Sequence, residues 1–345
     1  MESTAERVKR LHEEALIIDG HNDMPSHVVQ KRSRGMSRVI ETHYLEDIRA
    51  GGVDIVVAAV FIEDYHPETA LKMGLKQVMA MKEEVEESAS LLKLCLTYAD
   101  ILEAAKEKKT GIILALEGAE PLQQDLFLLR VFYDLGVRVM GLSWSRRNFA
   151  ADGCGFEKEE KDIKSGLTAF GKDLVKYCEG LGMIPDVSHL SEASFWDVVQ
   201  NTEEPFIASH TNCRHILNIK RNFADAQIRA LGERGGVVCI NGVNGLTVPP
   251  GREDSPEVMA DHMDHIKNIA GIDALGLGLD LYAFFMGGDL TVVRDGHERI
   301  VRDVIKDYSH LPFLTEVLIE RGYTDDEIKK FLGGNLLRVF KQRLK

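Results

Sequence analysis

The stretch Ile17-Ile18-Asp19-Gly20-His21-Asn22-Asp23-Met24-Pro25 carries an apolar run, residues 15–18, straight into a histidine and an aspartate two positions apart. The run predicts a short buried strand. In an extended chain residues i and i+2 point to the same side, so the spacing predicts that His21 and Asp23 bring a nitrogen and an oxygen to one point, where a metal ion could be held. A solitary His-x-Asp is more often a surface turn that happens to carry those two residues. What raises its significance is that other apolar runs in the chain end in the same way.

Seven further runs rich in Val, Ile, Leu or small residues follow, at 53–61, 111–116, 137–142, 183–187, 206–209, 237–240 and 274–279. Most are separated by segments that are amphipathic or charged at helical spacing, such as Lys82-Glu83-Glu84-Val85-Glu86-Glu87, a solvated helix face. Two helices, around 312–321 and 325–343, are predicted to finish the chain. Strands that barely alternate in polarity are buried on both faces, which predicts an α/β fold: a (β/α)8 TIM-type barrel forming a single domain over residues 1–345. The alternative is an open doubly wound sheet, but no Gly-x-Gly-x-x-Gly follows the first strand. The segment 241–256, with three prolines and several glycines, is long for a connection and is a candidate active-site flap.

A net charge of −13 argues against binding a nucleic-acid backbone or an anionic membrane surface, both of which want clustered Lys and Arg. A small-molecule partner is expected. The charged, helix-prone segment 1–14 lacks the apolar centre of a signal peptide, and no later run is long enough to span a bilayer, so a cytoplasmic location is expected. Five cysteines, widely spaced and without a Cys-x-x-Cys pair, read as reduced and structural.

In a barrel the C-terminal strand ends converge on one face. Those ends carry His21 and Asp23 (strand 1), Glu117 (strand 3), His189 (strand 5), His210 (strand 6) and Asp280 (strand 8). Such a set suffices for two metal ions about 3.5–4 Å apart, one held by His21, Asp23 and Glu117, the other by Glu117, His189 and His210. Individually each has a plainer reading: Glu117 as a carboxylate at a helix N-terminus, Asp280 as an N-cap, a single His as a hydrogen-bonding residue. Coincidence at four strand ends is much harder to arrange. His262 and His265, three apart on a predicted helix, read as structural or supporting residues, and His215 as a loop residue; His12, His27, His43, His66, His297 and His310 have no supporting context. No Gly-x-Ser-x-Gly elbow suggests a serine nucleophile.

Taken together, Ile18-Asp19-Gly20-His21-Asn22-Asp23, Leu116-Glu117-Gly118, Asp186-Val187-Ser188-His189, Ser209-His210, Arg221-Asn222, Asp261-His262-Met263-Asp264-His265-Ile266 and Gly334-Asn335-Leu336-Leu337-Arg338-Val339 give the chain a pattern that resembles the membrane dipeptidase (renal dipeptidase) family of binuclear zinc peptidases, nearly end to end. The resemblance implies a metallo-dipeptidase with two Zn²⁺ per subunit, other divalent metals being acceptable to such donors, a dipeptide substrate and a homodimer. It implies that His21, Asp23, Glu117, His189 and His210 are the metal ligands, with Glu117 bridging, that Arg221 holds the substrate carboxylate, and that Asp280 handles the proton. Two departures stand out. Trp144 occupies the place after strand 4 where animal members carry a His, as in the bacterial branch; indole donates one hydrogen bond but accepts no proton, and packing at the pocket wall is its plainer role. Leu279-Asp280-Leu281-Tyr282 lacks the family's second Asp and Gly, which bears on substrate choice. Outside dipeptide hydrolysis the alternatives are a barrel hydrolase of another small amide, lactone or ester, and a relative without catalysis.

Overall fold

The computed structural model describes residues 2–62, 67–155, 165–294 and 297–345; His66 lies outside them, as does the side chain of His297. The eight predicted strands form: β1 Ile17–Asn22, β2 Val53–Phe61, β3 Thr110–Glu117, β4 Val137–Gly141, β5 Ile184–Asp186, β6 Ile207–Thr211, β7 Val237–Ile240 and β8 Leu275–Leu277. Each pairs in parallel with the next in chain order. A doubly wound sheet would reverse its order at a switch point, so the sequential order selects the barrel. A three-residue strand, Leu92–Leu94, pairs with the start of β3 ahead of the part that pairs with β4.

The seam between β8 and β1 is closed by other means than a ladder. The Asp280 N–H donates to the His21 carbonyl at 3.3 Å, and the Asp19 carboxylate accepts the Leu279 N–H at 2.9 Å. Gly20 permits the approach: a Cβ there would lie 3.0 Å from the Leu277 carbonyl oxygen.

Strand parity divides the apolar side chains into two layers. Ile18, Ile55, Val57, Ile113, Val139 and Ile184 pack inside the barrel, while Val56, Ala58, Val60, Ile112, Leu114 and Leu116 face the helices. Both layers are buried, which is why the strands read as continuous apolar runs. The inward series Ile113, Ala115 ends in Glu117, so the pleat delivers that carboxylate to the mouth of the barrel interior.

The opposite mouth is plugged by the C-terminal helix, Asn335–Arg343, whose Leu336, Val339 and Phe340 join the inner layer. The sequence predicts one helix over 325–343; instead it breaks into Asp325–Lys329, a widened turn Lys330–Gly334, and Asn335–Arg343. The cause is the approach of Gly333 to β1, where a Cβ would stand 2.0 Å from the Leu16 carbonyl oxygen. Also not foreseen is an antiparallel hairpin, β9 Leu290–Arg294 and β10 His297–Val301, after β8. Among the described residues no helix is long and apolar enough to cross a membrane. All five cysteines are buried, and none is in a disulfide among the described residues.

Candidate metal centre

At the C-terminal ends of the strands the structure brings together His21, Asp23, Glu117, His189, His210 and Asp280. Glu117 Oε1 lies 3.0 Å from His189 Nε2, 3.4 Å from His210 Nε2 and 3.7 Å from His21 Nε2, and His21 Nε2 lies 3.5 Å from Asp23 Oδ1. His21 and Asp23 do converge, but not as two residues of one strand. β1 is irregular between Asp19 and Asn22, and Asp23 is already the N-cap of the helix Met24–Arg32, with φ −81° and ψ 16°. Its side chain makes no capping hydrogen bond, so it is left to the site.

The imidazoles are held from behind by residues that sequence reasoning missed. Asp186 and Ser209 follow the inward-facing Ile184 and Ile207 by two positions, and the Ser209 hydroxyl donates to Asp186 Oδ2 at 2.5 Å. With its hydrogen committed there, the same oxygen can only accept from His210 Nδ1 at 2.8 Å and His21 Nδ1 at 3.1 Å. One hydroxyl thereby fixes the tautomer of two rings in their neutral form, in which each turns an unprotonated Nε2 to the centre; for His21 a cation there would take the place of the proton that the carboxylates otherwise hold. Ser145 Oγ lies 2.6 Å from His189 Nδ1. The serines adjoining or preceding histidines in Ser188-His189 and Ser209-His210 were a visible signal; nothing in the sequence pointed to Ser145.

The donor set fits divalent cations. His189 Nε2 and His210 Nε2 stand 2.8 Å apart, and two lone pairs at that distance repel unless a cation or proton lies between them. His21 Nε2, Asp23 Oδ1 and Glu117 Oε2 are buried without a hydrogen-bond partner, an expensive arrangement for polar atoms that nothing else satisfies. His21, Glu117 and His210 offer ligand atoms close enough to share one ion, and so do His21, Asp23 and Asp280. The electrostatics agree. Burial, reinforced by Asp23, pushes the Glu117 carboxyl well above its ordinary range. Burial and the nearby Arg221 push His189 well down, and burial with His21 and Arg221 does the same to His210. For His21 burial is outweighed by the Glu117 and Asp23 carboxylates, which hold it up at about 10.

Asp280 and His189 share a further property. Six described non-glycine residues have positive φ, and His189 at 65° and Asp280 at 55° are two of them, a conformation that tertiary packing must enforce. Asp280 is not a helix cap, since Leu281 holds that place before Tyr282–Met286; its Oδ2 accepts from Asn241 Nδ2 at 2.8 Å. Burial raises its carboxyl to about 7.

Arg221 is buried, and donates to the His210 carbonyl at 2.8 Å and to Thr211 Oγ1 at 3.2 Å, while its Nε has no partner. Among the described residues it forms no ion pair with a carboxylate, and it is not part of the cavity wall. Trp144 is part of that wall: its ring stacks at 5.5 Å on His189 and meets Phe61 at 5.2 Å. His262 is structural, accepting the Cys213 N–H at Nδ1 and donating from Nε2 to the Thr247 carbonyl; His265 pairs with Asp225, and His215 stacks on it.

Above the cluster lies a cavity of about 500 Å³. Its floor is Asp23, Glu117, His189, His210 and Asp280, and its far side is formed by the segment 243–254 and the end of β10.

The model of the membrane dipeptidase family (Peptidase family M19) matches residues 5–344. The chain is 34% identical over 270 residues to an uncharacterized protein of the pqqA 5′ region of Klebsiella pneumoniae, covering 77% of this chain and 94% of that one. It is 28% identical over 351 residues to dipeptidase 3 of Macaca fascicularis, covering 97% and 67%. A metallo peptidase from Rhodobacter sphaeroides, liganded with a phosphinate mimic of the dipeptide L-Ala-D-Ala, has the same fold at a TM-score of 0.83 and 24% identity, with 95% and 99% of the two chains covered. With the fold, the strand-end cluster and the family match running over nearly its whole length, the chain belongs to the membrane dipeptidase family and is a hydrolase of peptide bonds.

Proposed function

We propose that the protein is a metal-dependent dipeptidase whose centre holds two divalent cations, zinc by family resemblance. His21, Asp23 and Glu117 would hold one and Glu117, His189 and His210 the other, with Glu117 common to both. The observation that carries this is the meeting of five donors from four strand ends, with His21 Nε2, Asp23 Oδ1 and Glu117 Oε2 buried there without a hydrogen-bond partner. Bound there, such ions supply Lewis acidity and make water acidic enough to act as a nucleophile near neutral pH.

The remaining work belongs to the chain's own side chains. Asn241 occupies one oxygen of Asp280, leaving the other to take the proton of the attacking water and pass it to the leaving amine. Water oxygen joins the amide carbon, the C–N bond breaks, and the products are a free amine and a free carboxylate. Arg221, a buried cation without a carboxylate of its own and with an unpartnered Nε, is assigned the carboxylate of the substrate by family resemblance; it stands behind the cavity wall, so that contact requires the wall to open toward it. Trp144 walls the cavity and keeps water from the stacked His189. A dipeptide is the size of ligand mimicked in the Rhodobacter sphaeroides protein, and it suits a cavity of about 500 Å³.

The deciding experiment measures bound metal and the hydrolysis of a dipeptide panel, D-residues at the second position included, before and after chelation. The expected result is turnover of free dipeptides that disappears on chelation and returns with added zinc. Blocked or non-peptide substrates outrunning free dipeptides would replace this reading with hydrolysis of another bond.

A further inference from the structure

The roof of the cavity is built from two segments far apart in sequence, the loop after β7 and the hairpin after β8, and the structure joins them into one body. Val243 pairs with Asp303 in an antiparallel bridge, and the Val304 N–H donates to the Gly242 carbonyl at 2.8 Å. Asn244 is the hub. Its N–H donates to the Arg302 carbonyl at 3.0 Å, its Oδ1 accepts the Arg302 N–H at 3.2 Å, and its Nδ2 donates to the Ile300 carbonyl at 3.1 Å.

Beside Asn244 and the charged Arg252, Asp254 and Arg299, this body lines the cavity with apolar side chains: Val243, Leu246, Val248 and Pro249 from the loop, Ile300 and Val301 from the hairpin. Ile300 remains 51% exposed, so a ligand that covers it gains from the removal of apolar surface from water. Of the charged roof residues that line the cavity, Arg252 and Asp254 each have a partner outside it. Arg252 pairs with Asp261 at 2.5 Å and Asp254 with Arg302 at 3.4 Å, and Arg299, which also lines the cavity, has interactions of its own. These exposed pairs are weak, but they leave a charged substrate side chain no unpaired partner here, and it would lose its hydration against aliphatic groups, which is the costly step.

We infer that the joined roof is the specificity-determining surface, and that it selects dipeptides carrying one bulky apolar side chain, of the Leu, Met or Phe class. This rests on the dipeptidase reading. It assigns Ile300 and Leu246 to contact with that side chain and Asn244 to holding the two halves of the roof in register.

The test uses the zinc-loaded full chain and measures kcat/KM for two series, X-Gly and Gly-X, with X as Leu, Phe, Ala, Ser, Asp and Lys. In at least one series Leu and Phe should exceed Asp and Lys by about tenfold or more, the discrimination a hydrophobic pocket gives. Ile300→Asp, at an exposed position that does not endanger folding, should lower the ratio of Leu to Ala substrates at least about fivefold with bound zinc unchanged. Good turnover with a flat profile in both series, or an Ile300→Asp variant that scales every substrate equally, overturns the inference and leaves the dipeptidase reading standing. Absence of turnover on every dipeptide by the zinc-loaded chain overturns both.

Discussion

The Tyr308 hydroxyl donates to Asp19 Oδ2 at 2.5 Å and accepts from Asn22 Nδ2 at 2.6 Å. Tyr308 comes after the hairpin, yet it is fully buried against β1. The other oxygen of Asp19 accepts the N–H of Leu279 and, at 3.4 Å, that of His21. One carboxylate thus ties together the seam, the strand that ends in His21, and the turn that presents Asp280. Tyr308→Phe keeps the ring but leaves Asp19 and Asn22 short of a partner, which should cost about 1–3 kcal/mol of stability. It should also weaken zinc binding, because His21 loses its backbone support. Chemical denaturation and zinc titration by chelator competition check both; normal zinc affinity in the folded variant would confine Tyr308 to stability.

Ser209 serves two rings at once. Ser209→Ala removes the acceptor for both Nδ1 atoms and frees each imidazole to change tautomer and orientation, so zinc affinity should fall about 10–100-fold while the barrel still folds. Competition with a chromophoric chelator measures this, and an unchanged Kd would remove the serine from the support of the centre.

Asp280→Asn retains the shape of the side chain and can still meet Asn241, but it cannot carry a proton. Bound zinc should be unaffected and kcat should fall by about 10²–10⁴-fold. Metal quantification beside steady-state kinetics is the check, and wild-type turnover would exclude Asp280 from the proton transfer.

His262 should impose acid sensitivity. Burial holds its ring down at about 4, with the Thr247 carbonyl and Asp261 opposing and His265 and Arg252 assisting, and Nδ1 already accepts the Cys213 N–H. In the unfolded chain the ring protonates near its ordinary value of about 6.5. As pH falls through the window from about 6.5 to 4 the unfolded chain takes up the proton first, so stability is lost on acidification, by about 3 kcal/mol for this residue. His262→Gln should be less stable than wild type at neutral pH but lose less between these limits, as followed by urea denaturation at several pH values. A slope equal to that of wild type would show that His262 is not the group that titrates.

Much of this molecule was legible in the linear chain. Strands buried on both faces have no polar side to show, so β2 and β3 appear as uninterrupted apolar runs, and the residue at which each run stops marks the barrel mouth. That is why His21, Glu117, His189, His210 and Asp280 could be picked out by position, since a strand end is a local property. The family resemblance rests on the same local motifs, and it added Arg221, which in Lys220-Arg221-Asn222 looks like any surface charge and is buried in the structure.

What sequence alone could not supply is whatever depends on two distant segments meeting. Asp186 and Ser209 become one support only because the pleats of β5 and β6 bring both to the same inner layer, and Tyr308 finds Asp19 only after the chain has gone once around the barrel. The break at Gly333 is invisible locally, since its cause is the Leu16 carbonyl on the other side of the sequence. The joining of the two roof segments through Asn244 is of the same kind. Periodicity and strand ends are written into neighbouring residues, and so the sequence determined the barrel and the positions of the candidate ligands. The shape of the site and the hydrogen bonds that hold its rings are long-range, and they were decided only when the chain closed on itself.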